Sequence, residues 1–192
     1  MILASQSPRR KEILERAHLD FTIHPADINE DRIEGESPTD LVRRLAHTKA
    51  HAVQDELRCF DEVILAADTI VWQGDDVFGK PHDAADAIRM LKTLSGTTHH
   101  VSTGVCLISG AAESTFVETT NVSFRDLSDQ EIEAYVAGGE PADKAGAYAI
   151  QGGAHGFVDA LDGDYDNVVG LPIRRVLEEL SKLAPNNDQL NL

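Results

Sequence analysis

Three features of the 192-residue sequence predict an α/β fold with a mixed β-sheet flanked by helices. Residues 1–4 are a short apolar run that stops at Ser5-Gln6-Ser7-Pro8, after which Ile13, Leu14 and Ala17 recur at helical spacing. Residues 63–67 are a continuous apolar run of the kind found in buried strands. Two further extended runs, 100–108 and 116–124, surround a turn at Ser109-Gly110. Strands joined partly by hairpins and partly through helices imply a mixed sheet.

Each element has its own signal. In the opening turn Ser7 suits a helix N-cap and Pro8 the first helical position, where a missing N–H costs nothing. Residues 21–26 read as extended and lead into the acidic Asp27-Ile28-Asn29-Glu30-Asp31. Ser37-Pro38 repeats the cap signal before a helix whose apolar stripe is Leu41, Val42, Leu45, Ala46, Ala52 and Val53. The buried strand continues through Asp68-Thr69-Ile70-Val71-Trp72, and Gln73-Gly74-Asp75-Asp76 turns it into a hairpin with Val77-Phe78. Asp83 caps a helix running to Leu94, which Gly96 ends. Ser128 and Glu131 form a capping box for a helix closed by Gly138-Gly139. Residues 140–172 are rich in glycine and carry little periodicity apart from the short runs 147–150 and 168–169, and a last helix starts at Pro172. One domain over 1–184 with a polar tail at 185–192 is expected.

Composition narrows the function. No run approaches the length a membrane span requires, and the N-terminus lacks a basic segment leading into an apolar signal core. A soluble, cytoplasmic protein is expected. Cys59 and Cys106 lack metal or redox spacing and read as reduced thiols. The formal net charge of −16 opposes long nucleic acid and anionic membranes alike. An anionic ligand would need the few basic residues concentrated at its site, or a metal cation.

Five places look unlike scaffold. A strand delivering the chain to a helix start offers free backbone N–H groups and the positive end of the helix dipole. Ser5, Ser7, Arg9 and Arg10 would add donors suited to phosphate, although a capped helix with solvated arginines fits the same residues. Lys49 falls on the apolar stripe of its helix, so it faces inward or borders a cleft, unless it snorkels from the stripe's edge. Asp68 is a carboxylate in a strand apolar on both sides. That is costly unless it is paired, hydrogen-bonded or metal-bound, or unless the strand opens into a cleft. Lys80 sits in the constrained Gly79-Lys80-Pro81 turn, either exposed or returning towards Asp68. In residues 144–153 small side chains would let a ligand approach, with Tyr148 and Gln151 to stack on or read a base, unless the segment is a loop around a core tyrosine. The histidines, His99 and His100 included, are read as lacking the spacing of a helical metal pair. Neither a nucleophile elbow nor a P-loop is present.

Together these blocks resemble the Maf family of nucleotide pyrophosphatases. The likeness rests on Leu3-Ala4-Ser5-Gln6-Ser7-Pro8-Arg9-Arg10, Ala67-Asp68-Thr69-Ile70-Val71, Gly79-Lys80-Pro81, Lys144-Ala145-Gly146-Ala147-Tyr148-Ala149-Ile150-Gln151-Gly152 and Asn167-Val168-Val169-Gly170-Leu171-Pro172. The resemblance implies an elongated, ITPase-like α/β fold with two lobes around a central cleft. It also implies hydrolysis of a nucleoside triphosphate to monophosphate and pyrophosphate, dependent on Mg²⁺ or Mn²⁺. Asp68 would be the proton acceptor, and Glu30 with Asp68 would offer oxygen ligands to the metal. Ser5, Arg9, Arg10, Lys49 and Lys80 would hold the phosphates, while Arg10, Thr69 and Gln151 would bear on substrate choice.

The Tyr148-Ala149-Ile150-Gln151 block looks like the subfamily acting on dTTP and UTP, with a 7-methyl-GTP pyrophosphatase as the alternative within the family. A non-catalytic, nucleotide-responsive regulator of septum formation is the alternative outside catalysis. A homodimer is a family-level expectation. Two departures stand out: Ala66 where the family commonly has glycine, and Asp164 where serine is usual, the latter expected to bring another negative charge near the site.

Overall fold

Three parallel strands frame the N-terminal part of the sheet. β1 (Ile2–Leu3) lies between β2 (Thr22–Ile23) and β3 (Val63–Gln73), with Leu3 opposite both Ile23 and Leu65. This computed structural model describes residues 1–183, so the polar tail expected at 185–192 lies outside the described residues. Further along are β4 (Asp76–Phe78), β5 (Thr98–Ser109), β6 (Ala112–Phe124) and β7 (Val158–Asp162). Among the described residues the sheet has seven strands in the order β2-β1-β3-β5-β6-β7, with β4 paired to β3. The β3–β4 and β6–β7 pairs are antiparallel, so the sheet is mixed as the sequence predicts.

The helices start where their caps predict. α1 (Pro8–Arg16), α2 (Pro38–Leu57), α3 (Ala84–Leu94) and α4 (Asp129–Ala137) are capped by Ser7, Ser37, Asp83 and Ser128, and Glu131 completes the capping box of α4. Two further helices follow: the short α5 (Tyr165–Val169) and α6 (Ile173–Leu183).

The chain divides into two compact units. The first comprises Met1–Asp68, Thr103–Glu118 and the segment from Gly170 onward; the second comprises Thr69–Ser102 and Thr119–Val169. In the first, Ala46, Ala50 and Val53 of α2 share a core cluster with Ile2, Ile64, Ala66, Cys106 and Ile108 from the strands and with Ala4 just after β1. Alanines on both sides of the contact let the helix lie close to the sheet. Gly104 of β5 takes this furthest, because a Cβ there would fall 2.2 Å from the backbone oxygen of Val42 at the start of α2. In the second unit α3 packs against α4. There His99, Phe124 and Tyr148 meet edge to face with ring centroids 4.8 to 5.4 Å apart.

Two expectations need correction. The extended reading of 21–26 shrinks to Thr22–Ile23, since β2 has only the two residues of β1 to pair with and Pro25 cannot donate to a ladder. The segment 140–172, read as carrying little periodicity apart from the short runs 147–150 and 168–169, contains β7 and α5, the second of which includes Val168 and Val169. β7 shows no apolar alternation because it is largely exposed, and α5 is too short to display a helical period.

Candidate active site

Strand register brings the opening turn to the aspartate. Because β1 runs parallel to β3 with Leu3 opposite Leu65, and Ala4 N–H donates to the Leu65 carbonyl at 2.8 Å, the chain beyond Ala4 leaves the sheet beside the Ala66–Asp68 stretch. The carboxyl ends of parallel strands are where open α/β sheets hold ligands. Ser5 is buried there, and its Oγ accepts from the Ser7 N–H at 3.2 Å and from Arg10 Nη1 at 3.0 Å. Arg10 Nε donates to the Gly170 carbonyl at 2.9 Å, tying α1 to the turn before α6. At least two of its N–H groups thus organise the turn, which makes it more than a solvated arginine.

Lys49 is 8% exposed, so it faces inward from α2. Its Nζ donates to Asp68 Oδ1 at 2.6 Å and lies 2.7 Å from Glu30 Oε1. The buried carboxylate expected to need a partner has one, and two oxygens converge on a single cationic position. Burial lowers the Arg10 pKa from its ordinary value; the carboxylates of Asp68 and Glu30 act the other way, and Arg9 adds to the lowering. Arg9, Arg10, Glu30, Lys49 and Asp68 therefore share one electrostatic neighbourhood in the first unit.

A residue outside the sequence expectations positions Glu30. Arg44 of α2 grips both oxygens of Glu36, at 2.6 and 2.8 Å, and donates to the Asp31 carbonyl at 3.0 Å. This fork holds the loop that carries Glu30. The hydrogen bonds from Arg44, with the smaller effects of the Ile33 N–H and of the charges on Arg44 and Arg32, outweigh burial and hold the Glu36 carboxyl below its usual range. In the sequence Arg44 is one more charge on an amphipathic helix, and nothing local marks its partner eight residues away.

Thr69, Lys80 and Gln151 belong to the second unit. Thr69 follows Asp68 directly on β3, and Lys80 and Gln151 are exposed. The Gly146 N–H donates to the Gly79 carbonyl at 3.1 Å, so the Lys80 turn is tied to the glycine-rich segment. At φ +70° and with Val71 2.9 Å from where a Cβ would stand, position 146 accepts only glycine without strain. The turn bearing Gln151 is pinned on both sides: the Ala149 N–H donates to the Tyr135 hydroxyl at 3.1 Å and the Gly153 N–H to Glu140 Oε2 at 3.0 Å. Of the two readings of Tyr148, base stacking or a core tyrosine, the structure bears out the second: it is 5% exposed and hydrogen-bonded to His99 at 2.8 Å.

The chain matches the Maf-like protein family across residues 1–183. The chain belongs to the Maf family. It is 49% identical over 184 residues to the dTTP/UTP pyrophosphatase of a Geobacillus species, covering 96% of this chain and 98% of that one. A dTTP/UTP pyrophosphatase of a Geobacter species is 50% identical over 184 residues, covering 94% and 93%, and one from Anaeromyxobacter dehalogenans is 51% identical over 177 residues, covering 90% and 88%. Among solved structures, the Ham1 protein of Staphylococcus aureus aligns with a TM-score of 0.48 at 14% identity, covering 65% of this chain and 71% of that one.

The two departures from the Maf pattern find places in the fold. The Ala66 side chain is fully buried in the core cluster under α2. Asp164 accepts from the Asn167 N–H at 3.1 Å and its own N–H donates to Thr120 Oγ1 at 3.0 Å, so its carboxylate serves the first turn of α5, a task a serine hydroxyl can also perform. The histidine expectation is overturned. His47 and His51 stand four residues apart on α2, with a carboxylate from another element beside them, Glu113 of β6. The chain pattern was there to be found, but only the fold supplies Glu113.

Proposed function

We propose that this Maf-family chain hydrolyses dTTP and UTP between the α- and β-phosphates, releasing the nucleoside monophosphate and pyrophosphate. The observation that carries this reading is Lys49 Nζ between Asp68 Oδ1 and Glu30 Oε1, where strand register places the Ser5–Arg10 turn. The names of the relatives, at about half identity over nearly whole chains, support the choice of pyrimidine triphosphates.

Water attacks the α-phosphorus, the bond from that phosphorus to the bridging oxygen breaks, and pyrophosphate departs with the bonding pair. The Asp68 carboxylate accepts the water's proton, a role worth about 10²–10⁴ in rate. Arg9, Arg10, Lys49 and Lys80 hold the phosphates, and the Ser5 hydroxyl, fixed by Ser7 and Arg10, orients them. Engaging a phosphate with Lys49 loosens its grip on Asp68, which ties proton acceptance to substrate binding. Thr69 and Gln151, with Arg10, read the pyrimidine.

Three basic groups at the cluster, Arg9, Arg10 and Lys49, against two carboxylates, Glu30 and Asp68, leave one surplus positive charge for a polyanionic substrate. That deficit and the all-oxygen donor pair of Glu30 and Asp68 fit Mg²⁺ or Mn²⁺. When bound, such a cation supplies charge neutralisation on the phosphates and lowers the pKa of the attacking water. The purified chain, given dTTP or UTP with Mn²⁺, is expected to form monophosphate and pyrophosphate in equal amounts. Release of orthophosphate instead, or no turnover of either nucleotide, would rule the reading out.

A further inference from the structure

We propose that His47, His51 and Glu113 form a second metal site, selective for a borderline transition cation such as Zn²⁺, on the opposite side of α2 from the catalytic cluster. The two histidines are one helical turn apart, which puts their rings on one face, with centroids 4.2 Å apart. Lys49 lies midway between them in sequence and therefore points to the other face, where it meets Asp68. The site is thus distinct from the one assigned to substrate and catalytic metal.

The ligand atoms already converge. His51 Nε2 is 3.1 Å from Glu113 Oε2 and His47 Nε2 is 3.5 Å from Glu113 Oε1, and one ligand atom from each of the three residues lies within 4.8 Å of the others. Tetrahedral Zn²⁺ with bonds of 2.0–2.2 Å needs ligand atoms about 3.3 Å apart, so closure asks for little more than side-chain rotation. Thr115 Oγ1 donates to Glu113 Oε1 at 2.8 Å and orients the carboxylate, as outer partners of metal ligands do. Two imidazoles and one carboxylate leave a fourth position for water on a solvent-facing surface. Nitrogen ligands favour Zn²⁺ over Mg²⁺, which prefers oxygen. A bound ion would clip α2 to the start of β6, next to the contact in which Gln54 Nε2 donates to the Gly110 carbonyl at 3.2 Å.

The test uses the untagged full chain, stripped by chelator, with thermal unfolding followed as Zn²⁺ or Mg²⁺ is added. Zn²⁺ at 100 times its dissociation constant should multiply the folded-to-unfolded ratio about 100-fold, raising Tm. The double variant His47→Ala, His51→Ala should lose most of that rise, and Glu113→Gln part of it, while the response of each to Mg²⁺ stays that of the wild type. The variants change partly exposed side chains and should fold, which circular dichroism verifies. An equal Zn²⁺ response in wild type and double variant, or no Zn²⁺ response in the wild type, overturns the proposal. It stands or falls independently of the hydrolase reading.

Discussion

Lys49 in the first unit and His99 in the second are both buried ionisable side chains, and their surroundings treat charge in opposite ways. Lys49 meets two carboxylates within 2.7 Å. His99, with no exposure, meets Phe124 and Tyr148, and among the described residues its Nδ1 has no hydrogen-bond partner. Burial, with a smaller contribution from neighbouring His100, pushes the His99 pKa down to about 4, so the ring is neutral at physiological pH. A buried charge persists where opposite charge is supplied and is given up where it is not. The first arrangement suits chemistry on a charged substrate; the second is scaffold.

The contrast can be broken at its strongest point first. Asp68→Asn should lower turnover of dTTP by about 10²–10⁴ while the variant still folds, as steady-state pyrophosphate release would register. Lys49→Met strands two carboxylates, one of them buried, and should cost roughly 3–5 kcal/mol of stability in urea unfolding, because breaking a buried pair leaves uncompensated charge. His99 behaves differently. The unfolded chain binds a proton that the native ring refuses between its ordinary 6.5 and about 4. Its contribution is therefore intact above pH 6.5 and is lost as pH falls towards 4, by about 3 kcal/mol in all. His99→Phe should flatten that slope in urea unfolding measured from pH 7 to 4, and an unchanged slope would assign it to other groups.

The smallest effect belongs to an exposed carboxylate. Hydrogen bonds from Arg125, and then from the Ser128 N–H and hydroxyl, hold Glu131 down to about 2. The stability it lends is present above the ordinary glutamate value of 4.5 and is lost as pH falls through about 2. Glu131→Gln should make acid unfolding only slightly shallower, since exposed ion pairs are worth little.

Legibility in the sequence followed the range of the interaction. The caps Ser7, Ser37, Asp83 and Ser128 were readable because a cap and its helix lie within a few residues. Asp68 and Lys49 were readable as anomalies, polar groups at positions whose neighbours are apolar. What the sequence could not show is that each answers the other, since 19 residues separate them. Tyr148 could be read as a base platform or as a core tyrosine because a tyrosine among glycines has no local partner; its partner, His99, stands 49 residues away. Arg44, Tyr135 and Glu140 left no local signal, for each acts on a segment beyond its own helix or turn.

The sequence by itself determined most of the long strands and helices, though not β7 or α5, where the main helices begin, and which residue types could meet a phosphate and a proton. Those properties depend on periodicity and caps, which are local. The tertiary structure decided that Lys49 bridges Asp68 and Glu30, that Arg10 serves Ser5 and Gly170, and that His47 and His51 find Glu113. Charge pairing acts through space, over separations in sequence that only strand register and the close approach of α2 to the sheet can bring to hydrogen-bond distance.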